Sequence, residues 1–190
     1  MRNKIFSNIA HWYDDFVGSF DYEEIAEYLP LYEDELILDL GGGTGRVSQD
    51  LASNTNGCII LDLSYKMLIQ AKRKSRSMFI IQGLSQNLPF RERSLKQIFL
   101  NDTLHHIADQ EGTLKDCFAI LDSEGKLIIR EYDKKKLSTK FLIFFEKLVR
   151  FGSKFLSPSQ LSEMCTEQGF KAEFHRPSKS TFILIAEKAN

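Results

Sequence analysis

The stretch Ile37-Leu-Asp-Leu-Gly-Gly-Gly-Thr-Gly-Arg46 decides how this chain is read. A short apolar run enters a turn with glycine at 41, 42, 43 and 45, and a segment of helical length follows. Glycine is needed where backbone turns sharply or a ligand must approach it closely. The unpaired N–H groups at the start of a following helix favour an anion there. The pattern is G-x-G-x-G, because position 46 is Arg, and no Gly-Lys-Ser/Thr follows, so it is not a P-loop. On this segment alone, a tight strand-to-helix turn with no ligand stays open.

Outward from the loop, similar apolar runs recur at Leu36–Leu40, Cys58–Leu63, Met78–Gln82, Gln97–Asn101 and Lys126–Glu131. Each is nearly continuous in Ile, Leu or Phe, as strands buried on both faces must be. Segments of helical spacing separate them at Gly45–Ser53, Ser64–Lys74 and Thr113–Leu121, and Asp122-Ser-Glu-Gly125 reads as a turn. This alternation predicts a parallel sheet covered by helices on both faces. Ser157–Gln168 then reads as a helix with a Ser-Pro start and Gly169 as its stop. Phe170–His175 and Thr181–Glu187, joined by Arg176-Pro-Ser-Lys, are too close for a parallel crossover and form an antiparallel hairpin. The expectation is α/β, a mostly parallel seven-stranded sheet that ends in an antiparallel C-terminal hairpin.

Asp62 ends the second strand, about 20 residues beyond the loop, where a carboxylate can accept hydrogen bonds from ribose hydroxyls. Loop and acid together place a ligand with an adenosine-like ribose at the topological switch point of the sheet. The 190 residues carry a net charge of −1, 43% apolar residues and 15 Phe. That is a globular composition, without the basic excess of a nucleic-acid-binding domain. No apolar run approaches the roughly 18 residues of a membrane span, and the first residues lack the apolar stretch of a signal peptide. Cys58, Cys117 and Cys165 are widely spaced without a C-x-x-C pair, so neither a metal site nor a disulfide framework is expected. A cytoplasmic protein is expected, of one domain over 1–190.

Four stretches resemble successive motifs of a family. Leu38-Asp-Leu-Gly-Gly-Gly-Thr-Gly45, Leu61-Asp-Leu-Ser-Tyr-Lys-Met-Leu68, Gln82-Gly-Leu-Ser-Gln-Asn-Leu-Pro-Phe90 and Leu104-His-His-Ile-Ala-Asp109 occur in order. They look like class I S-adenosylmethionine-dependent methyltransferases, in the group of the ubiquinone and menaquinone C-methyltransferases. Ile9-Ala-His-Trp-Tyr-Asp14 resembles that group's start, and Phe155-Leu-Ser-Pro-Ser-Gln-Leu161 with Gln168-Gly-Phe170 its last helix before the hairpin. The resemblance implies a Rossmann-like three-layer sandwich with an N-terminal helical cap at 1–30 and a helical lid insertion at 132–157. It implies S-adenosyl-L-methionine as cofactor, its methionyl part held by the backbone of Gly41, Gly42 and Gly43 with Thr44 near, and its amino end by Asp39. Asp62 would take the ribose hydroxyls, Leu63 and Met67 would lie against the adenine, and Leu84 and Ser85 would face its edge. Asn101 would lie near the methionyl backbone, and Tyr13 would close the pocket. At Leu84 the group usually carries an acid that bonds the adenine amino group, which Leu84 cannot do. Lys96 replaces a common Asp at the border of the sheet.

Methyl transfer needs a base only if the acceptor is a weakly acidic O–H or C–H. His105 and His106 are the candidates, with His11 a third; the alternative is one packed and one solvent-facing histidine. Over 134–156, four cations at helical spacing (Lys140, Lys147, Arg150, Lys154) oppose a Phe-rich face. Such a helix suits peripheral contact with an anionic membrane and an apolar, lipid or quinol-like acceptor. A lid packed on the domain's own core and a dimer contact are the alternatives. Two other functions stay open: a cofactor-binding module without methyl transfer, and a nicotinamide-dependent oxidoreductase, which would prefer G-x-G-x-x-G.

Overall fold

A computed structural model describes residues 22–133 and 153–188. Tyr13, His11, most of the expected cap at 1–30 and the centre of the expected lid, 134–152, lie outside the described residues. After the short helix α1 (Glu23–Ala26), the chain alternates β1 (Ile37–Leu40), α2 (Ser48–Ser53), β2 (Cys58–Asp62), α3 (Tyr65–Lys74), β3 (Met78–Gln82) and β4 (Leu95–Asn101). A 3-10 turn (Leu104–His106), α4 (Gln110–Ile120), β5 (Leu121–Tyr132), α5 (Pro158–Glu167), β6 (Phe170–His175) and β7 (Thr181–Lys188) complete it. The seven strands lie in the order β3-β2-β1-β4-β5-β7-β6. β1 to β5 pair in parallel, and β7 runs antiparallel to both β5 and β6.

Both faces of the sheet are buried, and side chains alternate between them. On one face Leu38, Leu61, Ile98, Leu100, Leu127, Ile129, Phe182 and Leu184 join Leu114 and Cys117 of α4 and Leu161 and Cys165 of α5. On the other, Ile37, Ile60, Phe99, Ile128 and Ile183 join Ile25 of α1, Leu51 of α2, and Leu68 and Ala71 of α3. This is the three-layer arrangement expected from the continuous apolar runs. Each of the Leu, Ile and Phe side chains among them contributes about 1.5–3 kcal/mol by leaving water.

Local signals explain several boundaries. Ser157 caps α5 in a reciprocal box with Gln160, Pro158 occupies the first turn, and Gly169 leaves the helix at φ +97°. A side chain at Gly169 would also meet the Phe118 ring. α4 begins at Gln110 rather than Thr113, because Asp109 accepts the Gly112 N–H and caps the helix three residues earlier than helical spacing suggests. α2 begins at Ser48 rather than Gly45, since Gly45 at φ +72° still belongs to the turn. The expected turn at 122–125 lies inside β5. Leu121 pairs with Leu95 and Lys126 with Gln97, so two steps along β4 match five along β5. The Asp122 carboxylate accepting from Glu124 N–H stabilises that excursion.

At the edge remote from the glycine loop, buried Gln97 exchanges hydrogen bonds with the Tyr32 N–H and carbonyl and donates to the Glu35 carbonyl. Lys188 donates to the Phe118 and Leu121 carbonyls and so closes the end of α4.

Candidate active site

The glycine loop, Asp62, Gly83-Leu84-Ser85 and Asn101-Asp102-Thr103 follow the carboxyl ends of β1, β2, β3 and β4, which are adjacent in the sheet. Gly41, Gly43 and Gly45 take φ +80°, +55° and +72°, a conformation that side chains resist. A side chain at Gly41 would also collide with the Thr103 methyl group, and one at Gly42 would come within 2.6 Å of the Asp39 carboxylate. The Thr103 hydroxyl is shared between the Asn101 carbonyl at 2.9 Å and the Gly41 carbonyl at 3.2 Å, and Gly41 N–H reaches Leu61 O at 2.7 Å. The loop is thereby tied to both neighbouring strands.

Asp62 completes this frame. Its Oδ2 accepts the Gly43 N–H at 3.1 Å and its Oδ1 the Ser64 N–H at 2.7 Å. One carboxylate therefore joins the glycine loop to the start of α3, with lone-pair capacity left for a hydroxyl. Burial raises the Asp62 pKa, and the N–H groups of Ser64, Gly43 and Leu63 oppose that rise. Met67 is buried on α3 with its sulfur beside Gly43. Gly83 N–H bonds the Asp62 carbonyl, which ties the start of the 83–85 segment to the end of β2, and Leu63 and Leu84 are 43% and 55% exposed.

Asp39 lies beneath the loop, 1% exposed. Its Oδ2 accepts the Ser48 hydroxyl at 2.5 Å, and its Oδ1 has no hydrogen-bond partner. Burial pushes its pKa up to about 7, the Ser48 bond pulls it down, and the Asp62 charge pushes it further up. An unpartnered buried carboxylate oxygen is costly unless a donor or cation arrives.

At the end of β4, Asn101 Oδ1 accepts from Arg130 of β5 at 3.2 Å, and Asp102 forms a 2.8 Å ion pair with the same guanidinium. Asp102 takes a left-handed φ of +49°, and its Oδ1 is buried without a hydrogen-bond partner. Burial raises its pKa, and Arg130 opposes the rise. Further along, His105 is buried. Glu131 Oε2 lies 2.6 Å from its Nδ1, and Glu131 Oε1 accepts its backbone N–H at 3.2 Å. Phe155 stacks on the His105 ring at 4.2 Å and 15°, and Lys154 N–H bonds the His105 carbonyl. His106 is half-buried, 4.0 Å from the His105 ring centre to centre, with Nδ1 3.1 Å from Ser153 Oγ.

Sequence reasoning passed over Glu131, Asp102 and Arg130. No spacing rule joins an acid at the end of a buried strand to a histidine 26 positions earlier. The signal that was present is Arg130-Glu131 closing an apolar strand, since two charges there require partners. The cysteines need none: Cys58, Cys117 and Cys165 are buried free thiols, and burial raises the pKa of each.

The methyltransferase domain family matches residues 38–129, the span from β1 through most of β5. A demethylmenaquinone methyltransferase of Thermotoga maritima is 29% identical over 202 residues, covering 90% of this chain and 88% of that protein. The chain is a methyltransferase. The ubiquinone/menaquinone biosynthesis C-methyltransferase of Wigglesworthia glossinidia brevipalpis is 30% identical over 150 residues, covering 70% of this methyltransferase and 60% of the relative's length. In fold, the methyltransferase superimposes on a crystal structure of an S-adenosylmethionine-dependent methyltransferase from Thermotoga maritima with TM-score 0.80. That pair shares 20% identity, with 99% of this chain and 100% of the other covered.

The residues at this edge fit S-adenosyl-L-methionine. The ligand carries an ammonium and a sulfonium, and the site offers Asp39 with an unpartnered oxygen and Asp62 with spare lone pairs. Loop positions 41 to 43 leave open the space that side chains would fill. Leu63 and Leu84 present exposed apolar surface suited to a flat base.

Proposed function

We propose that this methyltransferase alkylates a small, apolar, quinol-like acceptor, at carbon in preference to oxygen or nitrogen, by in-line displacement. The observation that carries the reading is the buried His105 two residues beyond Thr103, whose hydroxyl bonds the glycine loop. A quinol carbon or hydroxyl must lose a proton as it gains a methyl group, and His105, buried between Phe155 and the Glu131 carboxylate, is the base placed to take it. The names of the relatives, demethylmenaquinone methyltransferase and ubiquinone/menaquinone C-methyltransferase, support the same acceptor class.

When bound, S-adenosylmethionine supplies a methyl group on positively charged sulfur. The chain positions both partners, an effect worth about 7–11 kcal/mol where alignment is complete. Gly41, Gly42, Gly43 and Thr44 hold the methionyl part with Asn101 alongside, and Asp39 meets its ammonium. Asp62 receives the ribose hydroxyls, Leu63 and Met67 flank the adenine, and Leu84 and Ser85 stand at its edge. His105 takes the proton the acceptor loses, with His106 beside it. The basic, Phe-rich stretch 134–156 meets an anionic membrane surface from which an apolar acceptor is delivered. Among the described residues no helix is long and apolar enough to cross a membrane.

The test is turnover with S-adenosylmethionine and a short-chain demethylmenaquinol, run beside a catechol and a primary amine. A carbon-bound methyl group in the quinol product supports the reading. Cofactor binding with no product from any of the three would make the chain a binding module instead. Sedimentation with anionic liposomes should occur at low salt and weaken in high salt; absence of binding removes the membrane contact.

A further inference from the structure

We propose that Glu131 is the positioning residue of this site, holding His105 in the one tautomer and orientation in which its Nε2 accepts a proton. The inference rests on His105 as the base. Glu131 grips a single residue twice, through the His105 backbone N–H at 3.2 Å and Nδ1 at 2.6 Å. A carboxylate only accepts, so the ring must donate its Nδ1–H, and the lone pair then resides on Nε2. The short contact is of the charge-assisted kind. Phe155 stacked on the ring at 4.2 Å and His106 at 4.0 Å from it restrict its remaining rotational freedom. Glu131 is itself 5% exposed, at the end of a strand pinned by β4 and β7.

The charge balance gives the pair a second purpose. During transfer the acceptor gains a methyl group and gives up one proton to His105, while the donor sulfur becomes neutral. The positive charge thus moves from the cofactor to the imidazole, and Glu131 lies within hydrogen-bond reach of where it arrives. The proton stays on the ring. Asp102 also feels both His105 and Glu131, and Arg130 and Arg46 act on Asp102 from β5 and the glycine loop. Among the described residues, Tyr132, edge-on to the ring at 6.5 Å, and His106 also face the pair.

Glu131→Gln tests this, because glutamine has one acceptor oxygen and cannot satisfy both the backbone N–H and Nδ1–H. Three readings are taken on wild type, Glu131→Gln, Glu131→Asp and His105→Ala. They are binding of S-adenosylhomocysteine, nitrogen NMR of the His105 ring against pH, and turnover of a short-chain demethylmenaquinol. The expected result for Glu131→Gln is unchanged S-adenosylhomocysteine binding and a His105 titration moved to lower pH, with loss of the pure Nδ1–H tautomer. kcat should fall about a hundredfold, and the acid limb of its pH profile should move down with the titration. Glu131→Asp keeps the charge with a shorter reach and should fall between. An unchanged His105 tautomer and titration in both Glu131 variants overturns the inference, and this reading needs no acceptor. An inactive His105→Ala beside a fully active Glu131→Gln removes the role of Glu131 alone. A fully active His105→Ala that still binds S-adenosylhomocysteine removes the base and the inference with it.

Discussion

Replacing Asp39 by asparagine should stabilise the empty protein at alkaline pH while weakening its hold on the cofactor. Asp39 is 1% exposed, and its pKa is raised from 3.8 to about 7, chiefly by burial. The folded state therefore holds this proton more tightly than the unfolded chain does. The stability contributed by Asp39 is complete below pH 3.8 and is lost as pH rises through 7. Each pH unit between the two values is worth about 1.4 kcal/mol, so the ionised carboxylate costs at most about 4 kcal/mol at pH 8. Between pH 8 and pH 5 that cost falls by about 2.5 kcal/mol. The Asp39→Asn variant retains an oxygen to accept the Ser48 hydroxyl, and its amide never ionises. Denaturant unfolding of both proteins at pH 5, 6.5 and 8 reads the difference directly. Asp62, whose pKa burial also raises, is present in both proteins, but its repulsion of the Asp39 charge exists only in the wild type and adds to the difference. The cationic cofactor should favour the ionised carboxylate, so wild-type affinity should fall about tenfold per pH unit below 7. Calorimetry of Asp39→Asn should show weaker binding and a shallower slope. Parallel stability curves for the two proteins from pH 5 to 8 would refute the reasoning.

Asp62→Ala removes the acceptor shared by Gly43 and Ser64; a stability loss of about 1–3 kcal/mol in denaturant unfolding is expected, with S-adenosylhomocysteine binding lost in calorimetry. Leu84→Asp supplies a carboxylate in the place where the family usually has one, and should raise S-adenosylmethionine affinity about tenfold, equivalent to one charge-assisted hydrogen bond; equal or weaker binding would show that this position does not face the adenine amino group. Gln97→Ala breaks three hydrogen bonds at the opposite edge of the sheet and should cost about 2–3 kcal/mol of stability, leaving S-adenosylhomocysteine affinity unchanged where the variant is folded.

Strand identity and order of use were legible because a sheet buried on both faces demands unbroken apolar runs, and five such runs with a closing hairpin admit few arrangements. The glycine loop and Asp62 were legible for a local reason: positive φ values and close approach select glycine, and the acid follows at a set distance in the next strand. Legibility ended where local chemistry competed with periodicity. Asp109 starts α4 early through one side-chain cap, and the Asp122 turn is absorbed into β5 as an excursion between paired residues.

The sequence by itself determined the layered sheet and the glycine loop at the carboxyl end of β1, because these depend on neighbours along the chain or on periodic burial. Tertiary structure alone decided that Asp62 spends one lone pair of each oxygen tying the loop to α3, and that Asp39 keeps a buried oxygen without a partner. It alone brought Glu131 to His105 and Arg130 to Asp102. Those pairs form across β4 and β5, whose register is set by apolar packing along the whole strands. Their partners are therefore chosen by the sheet and not by any spacing within the chain.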